Sequence, residues 1–162
     1  MRVEYINPFV EAAHDVLQEV LADRLKELKA DVKRGELSLR STTMKIMGVA
    51  ALVGLAGDVE GRVLFDMKKE TALAVAGAMN GETFTAMDEM AKATIQELAN
   101  MVTAQAVTKL HAQGFKFDLT PPALFTGENM EISNSAVEAL IVPMELGPIG
   151  KIEINVAVRE RA

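Results

Sequence analysis

Cysteine and tryptophan are both missing from this chain of 162 residues, aromatic residues make up only 4% of it, and it has two histidines. Without thiols there is neither a disulfide framework nor a thiolate metal site. No set of His, Asp and Glu has the spacing of metal ligands, and no Ser-His-Asp arrangement can be argued. Basic clusters are scarce too, none exceeding Lys33-Arg34 or Lys68-Lys69. With a formal net charge of -6 and a pI near 5.0, the chain lacks a surface for a phosphate backbone, so nucleic acid is not an expected partner. Long apolar runs are also lacking. The most apolar stretch, Ile46 to Gly57, is interrupted by Gly48 and Gly54 and falls short of the roughly 20 residues a membrane span needs. It reads as buried strand, and no membrane association is expected. The start, Met1-Arg2-Val3-Glu4-Tyr5-Ile6, places charges where an export signal carries its apolar stretch, so a cytoplasmic location is expected. Gly48, Gly54, Gly57 and Gly61 lack a following Lys-Ser or Lys-Thr, and turns explain them better than a nucleotide loop.

What is present is core material. Hydrophobic residues make up 49% of the chain and ten methionines stand in for the scarce aromatics, enough to fill the core of a single domain over residues 1–162. Asn7-Pro8 resembles an N-cap and first helical residue, and Phe9, Val16, Leu17, Val20, Leu21 and Leu28 recur with helical spacing, which predicts a helix from Pro8 to Val32. Leu37 to Leu55 suggests two strands and Arg62 to Met67 a third, with Gly57 to Gly61 as a hairpin turn. Glu70 to Met79 reads as a short helix stopped at Asn80-Gly81. Thr85 to Asp88 resembles a capping box opening a second long helix that Gly114 closes. Strands are then predicted at Phe115–Phe117, Ala123–Phe125, Ala136–Leu146 and Gly150–Val158. Pro143 places its segment at a sheet edge or a bulge. The expected fold is α/β (α+β), two long helices and a short helix on an antiparallel sheet.

The second long helix carries the most informative pattern. At about 100° per residue, Ile95, Leu98, Val102, Ala106 and Leu110 share one side, while Ala93, Glu97, Asn100, Ala104 and Thr108 form a stripe roughly opposite. A carboxylate and a carboxamide one turn apart therefore point away from the core, flanked by alanines too short to cover them. Met90 and Met101 lie within roughly 40° of that stripe and would add a soft apolar rim. Met90, Ala93, Met101 and Ala104 are thus the candidate partner contacts around Glu97 and Asn100. By itself, so short a Glu-x-x-Asn pair reads as solvated surface. His111 extends the stripe, where a lone histidine near a helix end more often meets the dipole or water. The two halves of the chain look related, a long helix with Glu-x-x-polar followed by strands. The first-half counterpart is Glu11-Ala-Ala-His14, which reads as surface or a decayed second site.

Glu97-x-x-Asn100 on a long middle helix, a proline about twenty residues on (Pro121 or Pro122), the strand entry Asp58-Val-Glu-Gly-Arg-Val-Leu-Phe65 and the opening Asn7-Pro-Phe resemble the CheC, CheX and FliY family of chemotaxis phosphatases, most closely its CheX branch. The similarity runs along essentially the whole chain. Members with two working sites repeat Glu-x-x-Asn in the first helix, whereas Glu11-x-x-His14 lacks the asparagine, as in the CheX branch. One position departs, since the family usually has Asp or Ser where this chain has Ala93. The resemblance implies a CheC-like fold and a phosphatase acting on a phosphorylated CheY-type response regulator. It also implies a homodimer joined through sheet edges and no cofactor of the protein's own, the Mg²⁺ being carried by the regulator. Asn100 would orient the attacking water, its amide neither titrating nor adding charge. Glu97 would pair with the regulator's lysine, with a general-base role as the competing assignment. A non-catalytic adaptor docking on a receiver domain or the flagellar switch is the alternative function.

Overall fold

The computed structural model describes residues 3–40, 43–133 and 138–161. Its first helix, α1 (Val3–Val20), starts earlier and stops sooner than the periodicity predicts, with a second short helix, α2 (Ala22–Leu28), following a break at Leu21. Pro8 therefore lies inside α1 and Asn7 does not cap it. The proline forfeits one intrahelical hydrogen bond, and the burial of Tyr5 and Ile6, which extend the apolar stripe of Phe9, Ala12, Ala13, Val16 and Leu17 upstream, outweighs that loss. The chain leaves α2 at Lys29, which takes a left-handed conformation with φ 53°. It reaches Val32 without helix, the Val32 N–H being held instead by Gln18 Oε1 at 2.9 Å.

Strands β1 (Lys33–Arg34), β2 (Ser38–Arg40), β3 (Thr43–Lys45), β4 (Gly48–Gly57) and β5 (Val59–Lys68) come next. Helix α3 (Lys69–Asn80) ends at Gly81 with φ 67°, as Asn80-Gly81 predicts. Helix α4 (Glu89–Ala112) opens at Asp88, whose carboxylate accepts the Ala91 N–H at 2.8 Å, so the cap is Asp88 and not Thr85. After it come β6 (Phe117–Leu119), β7 (Ala123–Thr126), β8 (Glu131–Ser133), β9 (Ala139–Glu145) and β10 (Lys151–Glu160). The predicted Ala136 start of β9 lies outside the described residues. β8, which pairs with β3, has no counterpart in the sequence reading, being too short to show a period.

The large sheet is antiparallel in the order β1-β9-β10-β5-β4-β6, with β2 also on β9 and β7 also on β4. The internal repeat is visible in this order. The hairpins β4-β5 and β9-β10 meet at the centre through β5 and β10, and each half lends its edge strands to the hairpin of the other. One sheet face, including Val53, Phe65, Val142, Ile154 and Val156, carries the helices over the main core; Met67 and Met144 are fully buried there, filling space that aromatics leave. The other face holds Ala50, Leu64 and Ile141 beneath Ile46, Met130 and Ile132.

Pro143 is not on an edge strand. It pairs with Glu153 of β10 on one side, and its carbonyl accepts the Gly35 N–H at 2.7 Å on the other. In an antiparallel strand a residue's N and C=O face the same neighbour, so the nitrogen without a proton faces the break between β1 and β2, and the ladder to β10 loses no bond.

Candidate functional site

Helix α4 is fixed by what it buries. Ile95, Leu98, Val102, Ala106 and Leu110 sit in the core, each at most 2% exposed, so the opposite stripe is held rigidly outward. Two buried threonines on α4 are satisfied locally, Thr94 Oγ1 donating to the Met90 carbonyl at 2.8 Å and Thr103 Oγ1 to the Ala99 carbonyl. Asn80 of α3 donates to Thr94 Oγ1 at 2.7 Å and pins the two helices together.

Ala93, Glu97, Asn100 and Ala104 are all solvent-exposed. The side chains of Glu97 and Asn100 make no hydrogen bond or ion pair with any described residue. Both line a notch of about 590 Å³ together with Ala93, Gln96, Leu119, Thr120, Pro121 and Pro122. Of the partner contacts expected from the sequence, only Ala93 lines it. Met90 is 56% exposed one turn before Ala93. Met101 is half-buried and packs against the core, so it is less available as a rim than its angle alone suggests.

The far wall of the notch is the feature sequence reasoning placed only loosely. Pro121 and Pro122 have no N–H to give the sheet, and the edge strand paired with β4 breaks there into β6 and β7. Leu55 pairs with Leu119 and Leu52 with Ala123, so residues 120–122 stand opposite only residues 53–54 and the chain bulges toward α4. Both prolines line the notch, so the adjacency that leaves their spacing to Glu97 ambiguous in sequence has no spatial consequence. Gln96, Leu119 and Thr120 have no signal of their own in the sequence; the Pro-Pro pair at a predicted strand end was the available pointer to them.

The first-half tetrad occupies the corresponding place at the other end of the sheet. Glu11 and His14 line a smaller notch of about 450 Å³ with Val10, Asp15, Arg34 and Met144. Glu11 is already engaged by Lys109 at 2.8 Å, and His14 Nδ1 lies 3.6 Å from Asp15 Oδ1. His111 does not reach the α4 notch; its ring packs edge-on against Phe117, with Nε2 3.4 Å from the Phe117 carbonyl oxygen. Among the described residues no group of three or more His, Cys, Asp or Glu could hold a metal ion. No helix among them is long and apolar enough to cross a membrane.

An antiparallel sheet built from two exchanged halves, backed by a long helix with an exposed carboxylate and carboxamide, defines the CheC-like class. A structure of a CheC-like superfamily protein from Shewanella sp. PV-4 superposes with a TM-score of 0.84 at 26% identity, over 98% of this chain and 99% of that one. Residues 49–145 match the family model described as chemotaxis phosphatase CheX, and the chain belongs to that phosphatase family. The CheY-P phosphatase CheX of Thermotoga maritima is 28% identical over 138 residues, which cover 85% of this chain and 84% of that protein. A Borrelia burgdorferi structure of a complex of CheX with CheY, BeF3 and Mg²⁺ matches with a TM-score of 0.83 at 44% identity, over 98% of this chain and 100% of that one.

Proposed function

We propose that this protein accelerates hydrolysis of the aspartyl phosphate on a CheY-type response regulator, with Asn100 entering the regulator's pocket to orient the attacking water. The observation that carries this is the free carboxamide of Asn100, exposed and unpartnered among the described residues on a helix whose opposite face is locked in the core. Water attacks phosphorus, the P–O bond to the aspartyl carboxylate breaks, and inorganic phosphate leaves with the carboxylate restored. Phosphoryl transfer of this kind depends mainly on positioning and electrostatics, so a single well-placed amide is sufficient, and a displacement of about 1 Å costs on the order of a hundredfold. Glu97, one turn earlier, pairs with a regulator lysine and sets the docking register. On this reading the protein contributes no cofactor; the Mg²⁺ of the reaction belongs to the regulator, and both act in the cytoplasm. The relatives named for CheY-P and solved with CheY support this choice of substrate.

A homodimer joined through a sheet edge accompanies the reading. Leu37 and Leu39, 39% and 62% exposed on the β1-β2 edge, are the apolar side chains a second copy would cover. Light scattering that returns a monomer at working concentration refutes it.

The test of the activity is a dephosphorylation assay with a phosphorylated receiver domain from the same organism. Asn100→Ala is expected to abolish acceleration while regulator binding persists. Turnover undiminished in this variant removes the mechanism, and binding without any acceleration by the intact protein replaces the phosphatase with an adaptor.

A further inference from the structure

The wall facing Asn100 is stapled in place from both sides, and the staples come from residues with no part in the proposed chemistry. Gln96, the neighbour of Glu97 on α4, donates from Nε2 to the Pro122 carbonyl at 3.1 Å. Thr120 is clamped to the sheet twice: its N–H donates to the Gly54 carbonyl at 3.0 Å and its Oγ1 accepts the Gly54 N–H at 2.8 Å. Gly54 leaves room for this clamp, since a Cβ built on it would stand 3.1 Å from Thr120 Cγ2. A bulged edge segment carrying two prolines makes few ladder bonds and would otherwise be free to shift. Here the loop is tied to β4 at one end and to α4 at the other, so the width between the prolines and the Glu97-Asn100 stripe is set before any partner arrives.

We propose that Gln96 and Thr120 are positioning residues that preform the regulator-docking notch, holding the Thr120–Pro122 wall at a fixed distance from Asn100. This rests on the phosphatase reading given above. The wall is a surface the regulator meets on docking, whereas Asn100 rides on α4 and keeps its place whether the wall is held or not. Loosening the wall therefore makes docking bear the cost of ordering it, a cost that falls on KM. The chemical step, with Asn100 still rigid, keeps its kcat. A residue that served only general stability would instead reduce the amount of active protein, lowering apparent kcat at constant KM.

Steady-state dephosphorylation of a phosphorylated receiver domain by the full chain tests this. Gln96→Met keeps the length and neutrality of the side chain but has no donor, and Thr120→Val keeps the shape but has no oxygen. Each is expected to raise KM roughly three- to tenfold, the worth of one hydrogen bond, with kcat unchanged. Thr120→Ser, which retains the oxygen, is expected to restore the original KM. Amide exchange supplies a second readout, with the Gly54 N–H losing protection in Thr120→Val and recovering it in Thr120→Ser. Should Gln96→Met and Thr120→Val both leave KM where it was, or lower kcat alone, the positioning role is overturned while the phosphatase reading stands. An intact protein that accelerates nothing overturns both.

Discussion

Lys109 of α4 places its ammonium 2.8 Å from the Glu11 carboxylate of α1, so the first-helix glutamate is engaged within the molecule while its counterpart Glu97 has no partner among the described residues. The repeat thus preserves two notches and leaves the acid free in only one. Where Glu97 precedes an asparagine, Glu11 precedes His14, whose imidazole cannot present an amide. Glu11→Ala and His14→Ala are expected to leave regulator dephosphorylation unchanged. Because the Glu11-Lys109 pair is partly exposed, its loss costs less than about 1 kcal/mol in urea unfolding. A marked drop in turnover with either substitution would show that the second notch is active.

Glu97→Ala is expected to weaken the complex with the phosphorylated regulator by roughly tenfold, in line with removing one partner of an intermolecular charge pair. Calorimetry or surface-based binding reads this directly, and the loss should shrink as salt is raised. Affinity indifferent to Glu97 would sink the ion-pair role and return attention to the general-base assignment.

Asp66 gives the fold a pH dependence unrelated to the notch. It is 1% exposed on the outer face of the sheet, one carboxylate oxygen accepting the Met47 N–H at 3.0 Å and the other buried with no partner. Burial pushes its carboxyl up to about 6, and the charge of Glu153, opposite it in the β5-β10 register, pushes the same way. Glu153 is itself bridged by Lys151 at 3.1 Å. The native state holds this proton more tightly than the unfolded chain, so the contribution to stability is fully present below about pH 4, falls through the window up to about pH 6, and is then constant. The loss amounts to about 3 kcal/mol. Asp66→Asn is expected to remove this slope, visible as a difference between wild-type and variant urea midpoints measured across that window. Parallel profiles for the two proteins would contradict the buried-acid account.

Gly57 links the fold to the notch. It adopts φ 148°, and a Cβ there would fall 2.5 Å from Cα of Phe117, its partner in the β4-β6 register and the first residue of the strand that leads into the Thr120–Pro122 wall. Gly57→Ala is expected to destabilise the protein by roughly 3 kcal/mol through strain and backbone displacement. Faster amide exchange across β6 should accompany the loss, and a neutral outcome in both measurements would show that the strand pair yields without cost.

The helix bearing Glu97 and Asn100 was legible because its pattern is long and periodic, and a face opposite Leu98 and Val102 can only point outward. Gly81 and the β4-β5 and β9-β10 hairpins were legible for the same local reason, since turn chemistry and alternation reside in neighbouring residues. Local signals misled at Pro8, where an N-terminal preference lost to the burial of Tyr5 and Ile6, and at Thr85, where Asp88 was better placed to accept a helical N–H. Pro143 read as an edge or bulge residue because a missing donor is visible in sequence; that it faces a bulge between two short strands, residues 35–37 opposite 142–143, was not.

By itself the sequence determined that a carboxylate and a carboxamide stand one turn apart on a rigid exposed stripe, since helical geometry follows from spacing alone. Only the tertiary structure decided what faces them. The wall of Thr120, Pro121 and Pro122, the Gln96 and Gly54 contacts that hold it, and the Lys109 that engages Glu11 all join residues distant in the chain. Those contacts depend on strand register and on how the two halves exchange edges, which no local period records.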